Sequence, residues 1–170
     1  MEVKEYIDIQ LTGLERNLQR VLEALTPQEI DWRPSSGCNS IGLILFHIAR
    51  SDDSFVLANI LGQKELWRED RWYEKLGFPA TESASQYTTE LVNAFCAPPL
   101  KDIVAYSQAV HARMVERVKE MKPDQFDKKL TVPFFGETTI GAMMAIMTDH
   151  ASQHLGEISY LRGLQRGINK

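Results

Sequence analysis

Cysteine is scarce in this 170-residue sequence: Cys38 and Cys96 stand alone, with no C-x-x-C spacing. Two isolated cysteines make no disulfide framework and point to a reducing cytoplasm as the expected compartment. Long apolar runs are missing too. Nothing approaches the roughly 20 residues of a membrane span, so no membrane partner is expected. The opening "MEVKEYIDIQ" carries acidic side chains and no apolar block, unlike a signal peptide. Basic clusters never exceed a pair and the net charge is −4, which argues against a nucleic-acid partner. Repeats and low-complexity tracts are absent. What remains is an ordinary globular composition, 44% hydrophobic and 25% charged, at a length expected of one domain over 1–170.

The apolar residues are spaced for helices. Val3, Ile7, Leu11, Leu14, Leu18, Val21 and Leu25 recur at steps of three and four, which predicts a first helix of about 24 residues. "TPQE" at 26–29 suits a short capped turn, and "RPSSGC" at 33–38 a loop. Asn39 or Ser40 suits the N-cap of a second helix running to about Leu61, where Gly62 stops it. A third helix is predicted from Leu100 or Lys101, after a double proline, to Lys122. "KKLTVPFFGETT" at 128–139 suits a small hairpin, and Thr138 or Thr139 then caps a fourth helix reaching about Leu164. Four long amphipathic helices with little strand predict an all-α bundle. Between Gly62 and Leu100 the pattern is irregular, with Trp67, Trp72, Tyr73, Phe78, Tyr87 and Phe95 among glycines and prolines. This is a long connection with one or two short helices, expected to border a pocket.

The stretch "TDHASQHLGEI" places His150 and His154 four residues apart, with Glu157 three further on. On a helix turning about 100° per residue, Met143, His154, Glu157 and Leu161 fall within about 40° of His150. Both histidines therefore face the core, where polar groups without partners are costly. On the second helix Leu43, Ser51, Ser54 and Ala58 fall within about 40° of His47, which faces inward too, with small hydroxylic neighbours leaving room beside it. Three neutral imidazoles from two helices suit a divalent transition metal with a coordination position left open. The pattern is not H-E-x-x-H, because Ala151 stands where a metalloprotease of that kind carries its glutamate.

The plainer reading is two polar residues on one side of a helix, and His-x-x-x-His alone does not decide between them. Glu157 is open to three roles: acceptor for a ligand's other ring N–H or wall of the pocket, catalytic base, or solvated edge residue. His111 projects near Val104, Met114, Val118 and Met121. It either reaches the pocket or sits at the border of its helix's stripe, bonded to a carbonyl. Met143, Met144 and Met147 read as core filling. Asp52 and Asp53 project to the outer, solvated side of the second helix, and Trp67 and Trp72 read as packing anchors.

Three pieces, "SIGLILFHIARSDDSF", "FGETTIGAMM" and "DHASQHLGEISYLRGL", together resemble the DinB family in an order that covers nearly the whole chain. "EDRWYEKLGFP" and "FCAPPLKDIVAYSQAV" are similar to the branch with mycothiol-dependent enzymes. The resemblance implies an up-down-down-up four-helix bundle with its long crossover between the second and third helices. It implies a divalent metal, zinc or nickel, on His47, His150 and His154, and a homodimer. Family members include transferases of low-molecular-weight thiols, so a thiol and an electrophile become the expected small-molecule partners. Ser51, Ser54, Glu157 and His111 are then candidates for the substrate pocket, with no catalytic residue assigned. The alternatives are a metal-dependent hydrolase and a metal-binding stress-response or structural protein without turnover.

Overall fold

The structure is a computed structural model describing residues 1–167 apart from 86 and 134. Four long helical segments carry it: α1 (Val3–Leu22), α3 (Ile41–Ser51, continued as a π-helical segment over Asp52–Ile60), α7 (Leu100–Glu120) and α8 (Ile140–Arg166). The short α2 (Pro27–Asp31) precedes α3, and α4 (Leu66–Glu69), α5 (Trp72–Lys75) and α6 (Thr89–Ala94) punctuate the crossover. Among the described residues three short helices stand there, where the spacing suggested one or two. A 3-10 turn over Pro123–Asp127 leads to strands β1 (Lys129–Val132) and β2 (Gly136–Thr139). They pair antiparallel, Lys129 opposite Thr139 and Val132 opposite Gly136. No helix among the described residues is long and apolar enough to cross a membrane.

Local chemistry sets the boundaries. The Ser40 hydroxyl accepts from Leu43 N at 3.2 Å and starts α3. Thr139 does the same for α8, accepting from Ala142 N at 3.2 Å. Each satisfies one of the orphan N–H groups of a first turn. Gly62, at φ +67, ends the π-helical segment in a conformation that disfavours other residues. The first helix stops at Leu22 rather than near Leu25. Ala24 turns left-handed at φ +55. Arg162 of α8 donates to the carbonyls of Val21 at 3.1 Å and Glu23 at 2.6 Å, taking the place of a further turn.

α1 packs on α7 and α8, and α3 also packs on α7 and α8, so the helices run α1–α8–α3–α7 around the bundle. Cross-links give the directions. Lys4, at the start of α1, donates to the carbonyl of Lys119 at the end of α7, so those two helices are antiparallel. Arg166, at the end of α8, donates to Ala24 O at 2.6 Å, just past the end of α1, so those two are parallel. Arg166 also pairs with Glu29 of α2, beside the start of α3, which makes α3 antiparallel to α8. The bundle is thus up-down-down-up, with the long crossover between α3 and α7.

The crossover is held by aromatic burial. Trp67 is fully buried, its ring centroid 5.8 Å from that of Phe46 on α3, and Phe78 stacks on Phe46 at 4.5 Å. Rings of this size carry much of a small domain's apolar burial. Asp53 corrects an expectation: it is fully buried rather than solvated. It accepts from Leu66 N at 2.8 Å, Trp67 N at 2.7 Å and the Tyr106 hydroxyl at 2.7 Å. The face of α3 that projection alone leaves outside is covered by α4, so a carboxylate there caps a helix start instead of meeting water. Asp52 is also half-covered.

Candidate metal centre

His47 on α3 and His150 and His154 on α8 meet in the seam between these two antiparallel helices. One ring nitrogen from each lies within 4.8 Å of the others. His150 Nε2 stands 3.3 Å from His47 Nε2 and 3.1 Å from His154 Nε2. A tetrahedral ion on bonds of about 2.0–2.1 Å needs ligand nitrogens about 3.3 Å apart. All three side chains are half-buried.

The hydrogen bonds on the far sides of the rings fix which nitrogen is free. His47 Nδ1 lies 2.6 Å from Ala84 O, an acceptor only, so Nδ1 carries the proton. His154 Nδ1 lies 2.8 Å from Glu157 Oε2 and donates to it. Both rings then present a bare Nε2 lone pair to the centre, the usual way a metal-ligating histidine is oriented. Burial lowers the His47 pKa. Burial, and after it the neighbouring His154 and His47, push His150 down to about 4. Two bare lone pairs beside His150 Nε2 are satisfied either by a proton on that nitrogen or by a shared cation, and three neutral imidazole nitrogens at this spacing fit a divalent transition metal.

Beside the centre opens a chamber of about 350 Å³, lined by His47 and His154 together with Asn39, Leu43, Ser85 and Tyr87. The crossover therefore borders the site as the sequence predicts. The Tyr87 hydroxyl is buried with no hydrogen-bond partner among the described residues. Burial, then the nearby Glu82 carboxylate, push its pKa up.

The other candidate residues fall elsewhere. Ser51 and Ser54 do not line the chamber, which opens toward the N-terminal half of α3, and Ser54 Oγ instead donates to Arg50 O at 2.7 Å. Glu157 touches His154 rather than the chamber. His111 is not brought to the centre. It lines a groove of about 1000 Å³ with Asp8, Thr12 and Glu15 of α1. The helix order puts α7 diagonal to α8, so a side chain facing α1 cannot reach the α3–α8 seam. Ala84 and Tyr87 touch the site without belonging to any motif. A backbone carbonyl leaves no mark in a sequence.

The fold and the site together define an up-down-down-up four-helix bundle with an open three-histidine centre. The pattern of the DinB superfamily matches residues 10–158, and the chain belongs to that superfamily. It is similar in structure to a conserved protein from Enterococcus faecalis, with a TM-score of 0.83 and 20% identity over 96% of this chain and 97% of that one. It is also similar to YfiT from Bacillus subtilis, described as a probable metal-dependent hydrolase with an unusual four-helix bundle topology. The TM-score there is 0.64, with 16% identity over 96% of this chain and 87% of the other. At these identities the likeness bears on the fold. No curated protein matches the sequence.

Proposed function

We propose that this protein is a divalent-metal-dependent enzyme whose nucleophile is a low-molecular-weight thiol, transferred to a small electrophile. The observation that carries the metal-dependent reading is the convergence of three Nε2 atoms, 3.1 and 3.3 Å apart, beside an open chamber. When bound, a zinc or nickel ion lowers the pKa of a thiol or water at its open side and so supplies an anionic nucleophile.

The chain's own residues do the rest. His47, His150 and His154 bind as neutral ligands, so the full positive charge faces the chamber, which favours a thiolate. Glu157 holds the His154 proton on Nδ1 and keeps Nε2 free. Leu43, Ile44 and Val92 wall off water from part of the chamber. Tyr87 offers a hydroxyl at which an electrophile's oxygen can be held. With its proton lost to solvent on binding, a thiolate attacks the electrophile without a protein base and the leaving group departs with the electron pair of the broken bond, which suits a site where Glu157 is committed to His154. A homodimer is part of the same proposal.

Hydrolysis is the second reading, favoured by the description of YfiT. One experiment separates them: metal-loaded wild type and His150→Ala are assayed side by side with several thiols plus an electrophile, and with esters. Faster metal-dependent thiol consumption in the wild type supports transfer. Metal-dependent ester cleavage with no thiol reaction overturns it in favour of hydrolysis. Equal rates in both proteins overturn both and favour a binding protein without turnover.

A further inference from the structure

Among the described residues, three non-glycine residues hold a left-handed backbone, Ala24, Arg71 and Ala84, at φ +55, +54 and +54. The first two are exposed. Ala84 is fully buried, and its carbonyl is the one that receives the His47 proton. A left-handed alanine costs on the order of 1–2 kcal/mol and persists only where its surroundings over-determine it.

Here they do. Ala84 N donates back to Glu82 Oε1 at 2.7 Å, closing a tight loop over two residues. Glu82 O accepts from Arg50 Nε at 3.2 Å. Arg50 is itself fixed: its guanidinium bonds Asp53 at 3.3 Å, Tyr106 at 3.1 Å and Glu65 at 3.2 Å, and lies over the Trp67 ring 4.6 Å from its centroid. Arg50 is also on α3, one turn beyond His47. The same helix that presents the imidazole therefore holds the loop whose carbonyl orients it.

We propose that Glu82 and Arg50 are positioning residues for the metal centre. They clamp the 82–84 loop so that Ala84 O fixes the tautomer and direction of His47 and commits its Nε2 to the cation. Without the clamp Ala84 relaxes to an ordinary backbone conformation and the carbonyl turns away. His47 is then free to carry its proton on Nε2, the form that cannot ligate through the nitrogen facing the centre. The metal half of this inference rests on the metal-dependent reading; the clamp itself does not.

Glu82 is the residue to change, because it is only half-buried whereas Arg50 is part of the core. Glu82→Ala removes the acceptor for Ala84 N, and Glu82→Gln keeps one. Three measurements are made on each full-length protein: thermal unfolding by circular dichroism, Zn²⁺ affinity by competition with a chelating dye, and the His47 tautomer by ring ¹⁵N NMR without metal. Glu82→Ala should lose about 10–100-fold in Zn²⁺ affinity, as for other groups supporting metal ligands. Its His47 signal should move from the Nδ1–H form toward a mixture, while Glu82→Gln stays near wild type in both. Wild-type affinity and tautomer in Glu82→Ala, even with a lower melting temperature, would reduce the clamp to ordinary loop stabilisation and overturn the proposal. A wild type that binds no Zn²⁺ while His47 stays locked as Nδ1–H would overturn the metal-dependent reading and leave the clamp standing.

Discussion

Glu157 Oε2 accepts the Nδ1 proton of His154 across 2.8 Å, one helical turn further along α8. Half of the Glu157 side chain remains exposed, at 52%. The carboxylate therefore contributes through the orientation of one imidazole rather than through burial. Ala84 O does the equivalent for His47 from the other side of the seam. Two of the three imidazoles are thus held by acceptors on their far sides, one a side chain and one the backbone.

Removing the Glu157 acceptor should loosen the metal without unfolding the bundle. Glu157→Ala is expected to weaken Zn²⁺ binding about 10-fold or more. Its melting temperature without metal should stay close to wild type, since an exposed pair contributes about 0–1 kcal/mol. Isothermal titration and thermal unfolding check the two halves. A fall in metal-free stability with unchanged affinity would assign Glu157 to the helix rather than the metal.

Each single change His47→Ala, His150→Ala and His154→Ala should abolish stoichiometric binding of Zn²⁺ near neutral pH. A cation bound only by the folded state stabilises it by mass action. The wild type should therefore melt higher with Zn²⁺ and return to its metal-free value with a chelator, while none of the three variants responds. Elemental analysis with matched melting curves measures both. Retention of one equivalent of metal by all three variants would place the site elsewhere.

The helices and the caps were legible because they rest on local chemistry. Ser40 and Thr139 cap where short polar side chains precede apolar spacing. His150 and His154 were legible as a pair by their four-residue step, and His47 by its inward projection. Their meeting depends on α3 lying beside α8, which helix periodicity does not contain. The same blindness misplaced His111, whose helix lies diagonal to α8, and Asp53, whose outward face is covered by a segment 13 residues further on. The π-helical turns after Ser51 left no signal that period counting could find. Ala84 was invisible for a different reason: its contribution is a carbonyl, and every residue has one.

Gly42 sits where α3 passes closest to its neighbours. A Cβ there would lie 2.5 Å from Ala97 Cβ and 2.9 Å from Ile30 Cγ2. Neither partner is the end of a long flexible side chain, so α2 or the chain around Ala97 must shift. Gly42→Ala should destabilise the protein by about 1–3 kcal/mol, outweighing alanine's better helix propensity of about 1 kcal/mol. Urea unfolding measures this. Unchanged or higher stability would mean that the α2–α3 contact yields freely.

Asp52 links stability to pH. Burial, and after it the charge of Asp53, push its pKa up from 3.8 to about 7. A carboxyl raised on folding holds its proton in the native state while the unfolded chain has already lost it. Its contribution is then most favourable below pH 4 and declines as pH rises through 4 to 7. Asp52→Asn, uncharged throughout, should be more stable than wild type at pH 8 by about 1–2 kcal/mol. That is below the ~4 kcal/mol of a wholly dry site, because water reaches part of the side chain. The difference should vanish near pH 4. Urea unfolding at pH 4, 6 and 8 decides, and a constant offset across the range would show that Asp52 does not titrate there.

The strongest single dependence is expected at Asp53. Its Oδ1 accepts from Leu66 N at 2.8 Å. Its Oδ2 accepts from Trp67 N at 2.7 Å, Tyr106 Oη at 2.7 Å and Arg50 at 3.3 Å. Asparagine keeps the shape but replaces one oxygen with an amide that can only donate. Whichever way it turns, a donor meets donors, and Arg50 is left buried with the half-buried Glu65 as its one remaining carboxylate. Breaking a buried pair on one side costs about 3–5 kcal/mol, because the surviving charge stays desolvated. Glu65→Gln, which leaves the Asp53 pair intact, should cost about 1 kcal/mol or less. Because Arg50 also holds the loop carrying Ala84, folded Asp53→Asn should bind Zn²⁺ more weakly as well. Urea unfolding followed by tryptophan fluorescence, together with Zn²⁺ titration at low urea, tests both. An Asp53→Asn protein within 1 kcal/mol of wild type would show that the crossover is held by its aromatic burial around Trp67 and Phe78 alone.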